Sequence, residues 1–181
     1  MSRLLKKYFL QYEYLQLELE DIEEIYVELQ KNWHKDYAKY FKDRPVEAWM
    51  NEETGEVKFQ DPNIEEELTK DKTPEQIKKL YRKLSTITHP DKGGDVEDFN
   101  KVRACYEDKD YVGLLLEASK YADKIEVEEQ DRPLLDASCE KLQEKIKNKR
   151  HSLLWMLYKG TEQEKAAAIA QLEATHNIKI T

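Results

Sequence analysis

Eight residues near the amino terminus constrain the fold most. Tyr8, Tyr12, Leu15, Leu19, Ile22, Tyr26, Leu29 and Trp33 are spaced 4, 3, 4, 3, 4, 3, 4. That repeat keeps apolar groups on one side of an α-helix through more than three heptads. Tyr37, Tyr40 and Phe41 extend the apolar side, so the spacing predicts one long amphipathic helix over 3–42, within an arm covering 1–43. Alone in water such a helix exposes a long apolar strip, so it demands a partner. The chain carries a second seam of the same spacing in Leu135, Cys139, Leu142, Ile146, Lys149, Leu153 and Met156. Asp131 and Pro133 mark the start of that arm and Gly160 its end. Two arrangements satisfy both seams. The arms pair antiparallel within one chain, holding the intervening segment between them, or two chains form a homodimer through the same surfaces.

Composition narrows the class. Charged residues make up 38% of the 181 positions, against about 25% in ordinary domains. With only five Gly and five Pro, that mixture favours long solvated helices over a thick globular core, hence a mainly all-α fold. A net charge of −8 argues against generic nucleic-acid binding, which needs a basic footprint. The sequence contains no apolar run of the roughly 18 residues that a membrane span requires. Met1–Lys7 lacks the continuous apolar core of a secretory signal. Cys105 and Cys139 read as reduced, structural cysteines of a cytoplasmic protein.

The middle of the chain reads as a helical hairpin. Thr73, Pro74 and Gln76 look like a capped helix start. Ile77, Leu80, Tyr81, Leu84 and Ile87 then form an apolar stripe, with Lys78, Lys79, Arg82 and Lys83 lying off it. Pro90 disfavours a helical conformation at His89, which ends the helix. Gly93 and Gly94 permit a tight turn, and Asp95 can cap the helix that follows. That helix has its own stripe of Phe99, Val102, Cys105 and Tyr106. Two helices joined by so short a loop pack antiparallel to bury both stripes. His89, Pro90 and Asp91 are thereby displayed at the tip.

A His-Pro-Asp loop between a basic helix and a second amphipathic helix resembles the J domain of the DnaJ co-chaperone family. The resemblance covers about residues 62–122. It implies that His89, Pro90 and Asp91 trigger ATP hydrolysis in a heat shock protein 70 (DnaK-type) chaperone. It further implies that Lys78, Tyr81, Arg82 and Lys83 dock against an acidic surface of that partner, and that Asp91 meets a cationic group. Phe99, Val102, Cys105 and Tyr106 match the family's core positions. Family members usually open with an aromatic-rich helix, where this chain has Pro62-Asn63-Ile64-Glu65-Glu66-Glu67-Leu68, and they carry Lys-Tyr where it has Ile87-Thr88. No Gly/Phe-rich linker and no Cys-x-x-Cys zinc module follows. The layout is similar to that of some viral J proteins, while Lys92-Gly93-Gly94-Asp95 after the tripeptide is similar to cellular ones as well.

Other segments carry less chemistry. Residues 44–61 form a linker in which Trp49–Phe59, two short apolar runs around Gly55, predict a small β-hairpin. Residues 123–132 read as an acidic linker and 133–181 as a carboxy-terminal helical arm. In that arm a last helix over 161–175 has Thr161 and Glu164 placed as a capping box and a weak apolar face in Ala167, Ile169, Ala170 and Leu172. His34, His151 and His176 lack partners at metal-ligand spacing and read as surface residues. The basic stretch Lys145, Lys147, Lys149, Arg150 reads as a solvated helix face. No paired carboxylates are marked out for acid–base work, so no enzymatic activity and no cofactor are expected. Two functional readings follow. One is a J-domain co-chaperone whose arms hold a client or an assembly partner. The other is a scaffolding helical protein whose hairpin no longer stimulates a chaperone.

Overall fold

The computed structural model describes residues 2–41, 73–122 and 127–180. Every element among them is a helix. The expected β-hairpin around Trp49–Phe59 and the expected first helix at 62–68 lie outside the described residues. The chain divides into two compact units, Met1–Glu18 with Thr69–Glu144, and Leu19–Leu68 with Lys145–Thr181.

The long amino-terminal helix, α1 (Arg3–Asp36), contributes to both. It ends six residues short of the expected boundary. Tyr37 turns the chain and Ala38–Phe41 continue as a 3-10 turn. Seven of its eight seam residues are buried, from Tyr8 at 8% exposure to Trp33 at 1%, and the seam is covered within a single chain.

In the first unit, α2 (Glu75–Thr88), α3 (Val96–Glu107) and α4 (Tyr111–Ser119) pack on one another beside the first half of α1 and most of α5 (Arg132–Arg150). Its core includes Leu5, Tyr12, Ile77, Leu84, Val102, Leu114 and Leu135. Tyr8 donates its hydroxyl proton to Asp136, and Tyr12 donates to Asp110. Burial, then the neighbouring Asp110 charge, holds the Tyr12 phenol well above its ordinary range, so it remains a donor. Burial likewise pushes the Cys105 thiol up to about 12 and the Cys139 thiol up to about 11. Cys139 is buried and Cys105 half-buried, and both are free thiols.

Helix α4 is an element that periodicity passes over. Its first amides have no partner within the helix. The Asp110 carboxylate accepts from Gly113 N–H at 3.0 Å. The buried Ser138 hydroxyl, on α5, accepts from Tyr111 N–H at 2.9 Å and Val112 N–H at 3.2 Å.

In the second unit the later part of α1 meets the end of α5, α6 (Leu153–Lys159) and α7 (Glu162–His176). Tyr26 donates to the Ser152 hydroxyl, Lys149 lies 3.7 Å from Glu23, and Tyr158 donates to Asp36 at 3.1 Å. Partners advance together along both segments, so the arms run parallel here rather than antiparallel. A parallel pair needs a long crossover, and the intervening chain supplies it. The carboxy-terminal seam is also not one helix. It breaks at His151–Ser152, where Ser152 caps α6 by accepting from Trp155 N–H at 3.3 Å.

The Thr161–Glu164 capping box of α7 forms as expected. Its buried face, however, is Ala168, Leu172 and His176, not Ala167 and Ala170. A run of three alanines carries little phase information. His176 is correspondingly not a surface residue but packs edge-on against Phe41 at 5.2 Å.

Candidate functional site

The α2–α3 connection is built from the backbone outward. Helix α2 begins at Glu75, with Pro74 extended (ψ 145°) as its cap and no side-chain capping bond, so the expected Thr73–Gln76 box does not form. Its buried stripe is Ile77, Leu84 and Thr88. The stripe shifts by one residue at its end, leaving Ile87 49% exposed and Thr88 fully buried. The Thr88 hydroxyl donates to the Leu84 carbonyl at 3.0 Å, which satisfies the buried polar group.

His89 leaves the helix in an extended conformation, and Pro90–Lys92 close a single 3-10 turn. The His89 carbonyl accepts from Lys92 N–H at 2.9 Å and Gly94 N–H at 3.1 Å. The two glycines have different reasons. Gly93 sits in the left-handed region at φ 82°, where only glycine is free of strain. Gly94 lies on the Thr88 backbone, and a Cβ there would stand 2.3 Å from the Thr88 carbonyl carbon and oxygen. Asp95 then caps α3, accepting from Glu97 N–H at 2.7 Å and Asp98 N–H at 3.1 Å.

Within this frame the three tip residues divide their work. His89 Nδ1 accepts from Asp91 N–H at 3.2 Å, which places the ring proton on Nε2. The His89 ring also meets Phe99 edge-on at 5.2 Å. Pro90 occupies the first position of the turn, where a missing N–H costs nothing. The Asp91 side chain is 89% exposed, while that of His89 is 43% exposed. His89 therefore positions the loop, and Asp91 presents its charge.

The expected docking residues spread over one broad side of α2, from the edge facing α3 to the edge facing α4. Tyr81 stacks on Tyr106 at 4.1 Å and so marks the α3 side of α2. Lys78 and Arg82 flank Tyr81 in sequence, and Arg82 lies 3.8 Å from Glu75. Lys83 instead lies with Lys79 along an open groove of about 550 Å³ between α2 and α4. Leu80, Leu84, Leu115 and Ala118 also line it, and Glu128 and Asp131, from the turn before α5, face the two lysines across it. Lys79 belongs to this basic surface although the resemblance did not single it out. Its spacing of four from Lys83 was the available signal. In all, α2 presents four cations against one glutamate, a surface suited to an anionic partner.

Among the described residues no cluster of three or more His, Cys, Asp or Glu is arranged to hold a metal ion, and no helix is long and apolar enough to cross a membrane.

No protein-family model matches the chain, and no solved structure matches it. Short similarities to curated proteins do exist. DnaJ protein homolog 2 of Allium porrum is 50% identical over 40 residues, 22% of this chain and 10% of the relative. DnaJ protein homolog ANJ1 of Atriplex nummularia is 50% identical over 38 residues, and chaperone protein dnaJ 3 of Arabidopsis thaliana is 47% identical over 38, each match covering 21% of this chain and 9% of the relative. The chain thus covers only about a tenth of the length of the relatives it matches. Over roughly a fifth of its own length, it is DnaJ-like.

Proposed function

We propose that this chain is a J-domain co-chaperone that stimulates ATP hydrolysis by a heat shock protein 70 (DnaK-type) chaperone and has no catalytic chemistry of its own. One observation carries the reading. Asp91 is held on a backbone-locked tip with its carboxylate in solvent, beside a helix face rich in cations. The fold uses the polar groups around Asp91 and leaves its charge available. Lys78, Arg82 and Lys83 steer the module to an acidic surface, which sets association rate and salt dependence more than final affinity. Asp91 then meets a cation on the chaperone. The helical arms hold a client or place the module in an assembly.

The test is single-turnover ATP hydrolysis by a DnaK-type chaperone, with and without this protein. Wild type should accelerate the reaction and Asp91→Asn should not. Equal rates for wild type and Asp91→Asn would remove the trigger role.

A second reading, a scaffold with a non-stimulating hairpin, is favoured by one feature. His89 is engaged inside the loop by Asp91 N–H and Phe99, so part of the tripeptide serves the hairpin itself. Failure of wild type to accelerate any DnaK-type chaperone would favour that reading.

A further inference from the structure

Helix α1 carries a second, shorter seam on its outer side. Leu10, Tyr14 and Leu17 are 59%, 62% and 61% exposed. They are spaced 4 and 3, and Lys7 precedes Leu10 by three. At about 100° per residue the four positions fall within roughly 80° of one another, on the side away from Tyr8, Tyr12 and Leu15. All four lie in the first unit. Single exposed apolar residues are ordinary, but a heptad row of them is an interaction surface.

We propose that this face binds a second copy of the chain, with the two α1 helices antiparallel. The 3, 4, 3 spacing from Lys7 to Leu17 reads the same in both directions. A copy laid antiparallel about a twofold axis near Tyr12 sets Leu10 against Tyr14 of the second copy, and Tyr14 against its Leu10. The charges select this orientation. Arg3, Lys6 and Lys7 stand in the first two turns of α1 with no acid among them, and Glu13 and Glu18 follow. Antiparallel pairing brings that cationic start toward the other copy's glutamates. The Lys7 stem covers Leu17, and its ammonium reaches Glu18 on the same flank. Parallel pairing would instead stack three cations on three cations. The dimer differs from one made through the long seam, which is buried within each chain.

The contact is small beside the roughly 800 Å² per partner of stable complexes, so the dimer should dissociate on dilution. The measurement is sedimentation of the full chain over a wide concentration range. Wild type should shift from monomer to dimer as concentration rises. Lys7→Glu should weaken association about tenfold or more, as should Glu18→Lys, and the double swap should restore it. The pair Leu10→Lys with Leu17→Lys should give a monomer throughout. Lys7, Leu10 and Leu17 are exposed, so unchanged circular dichroism and melting should accompany their variants, and the association of the double swap is read at matched folded fraction against Glu18→Lys alone. A wild type that stays monomeric, a dimer that survives the two lysines, or a swap that fails to restore association overturns the proposal.

Discussion

Two short turns in the first unit, one after α2 and one after α3, solve the same problem in opposite ways. Each reverses the chain within a few residues and each contains an aspartate. In the α2–α3 turn the backbone closes on itself, with Gly93 N–H donating to the Pro90 carbonyl at 3.0 Å and Gly94 N–H to that of His89. In the α3–α4 turn Lys109 takes a positive φ of 53°, and Asp110 N–H donates to the Cys105 carbonyl at 2.7 Å. The Asp110 carboxylate is then used entirely by the fold, accepting from Gly113 N–H and from the Tyr12 hydroxyl. Asp91 is used for nothing comparable and stands 89% exposed. The lesson concerns what a fold leaves over. Since buried polar groups are almost always satisfied internally, a charged group displayed on a rigid turn is available to a partner.

The sharpest way to break this contrast is Gly94→Ala. The new methyl would meet the Thr88 backbone at 2.3 Å, and Thr88 is fully buried and tied to Leu84. Something must move, at a cost of about 3 kcal/mol, the upper part of the range for overpacked sites. Urea unfolding should show that loss, and, on the function proposed above, stimulation of a DnaK-type chaperone should vanish because Asp91 is displaced. A Gly94→Ala protein as stable as wild type would mean that the first turn is not locked.

Ser138→Ala tests the second turn. It strands the Tyr111 and Val112 amides in a buried site, costing about 2 kcal/mol at the usual penalty for unsatisfied donors. Denaturant midpoints should fall accordingly. Stimulation per folded molecule should stay at the wild-type level, because nothing at the tip has changed.

How much of this was readable in advance depended on whether chemistry or phase carried the signal. The α2–α3 turn was readable residue by residue. Pro90, the glycine pair and Asp95 each impose a backbone requirement that no other neighbour can supply. The α1 seam was readable because eight large residues held one period. The start of α4 was not, since Ser138 reaches it from 27 positions away and no local pattern encodes such a cap. Phase failed at edges. Ile87 and Thr88 exchanged burial at the last turn of α2, where the helix is about to end, and the alanines of α7 offered no large side chain to fix its buried face. The direction of the paired arms was also hidden. A heptad seam fits either orientation, and the long chain between the helices permits the parallel one without dictating it.

The smallest expected effect on stability falls at the residue with the largest proposed effect on function. Asp110→Asn keeps an acceptor for Gly113 N–H but removes the charge that receives the Tyr12 hydroxyl, and a charge-assisted bond exchanged for a neutral one should cost about 1 kcal/mol. Asp91→Asn removes a charge whose nearest ring, that of His89, lies 3.8 Å away in an exposed setting and already uses Nδ1 as an acceptor. Exposed pairs of that kind contribute little, so its unfolding free energy should match wild type within about 0.5 kcal/mol. Parallel urea titrations of the two variants measure the difference directly. If Asp91→Asn destabilised the fold as much as Asp110→Asn, the tip aspartate would be a structural cap like its counterpart, and its exposed carboxylate would no longer mark a docking point.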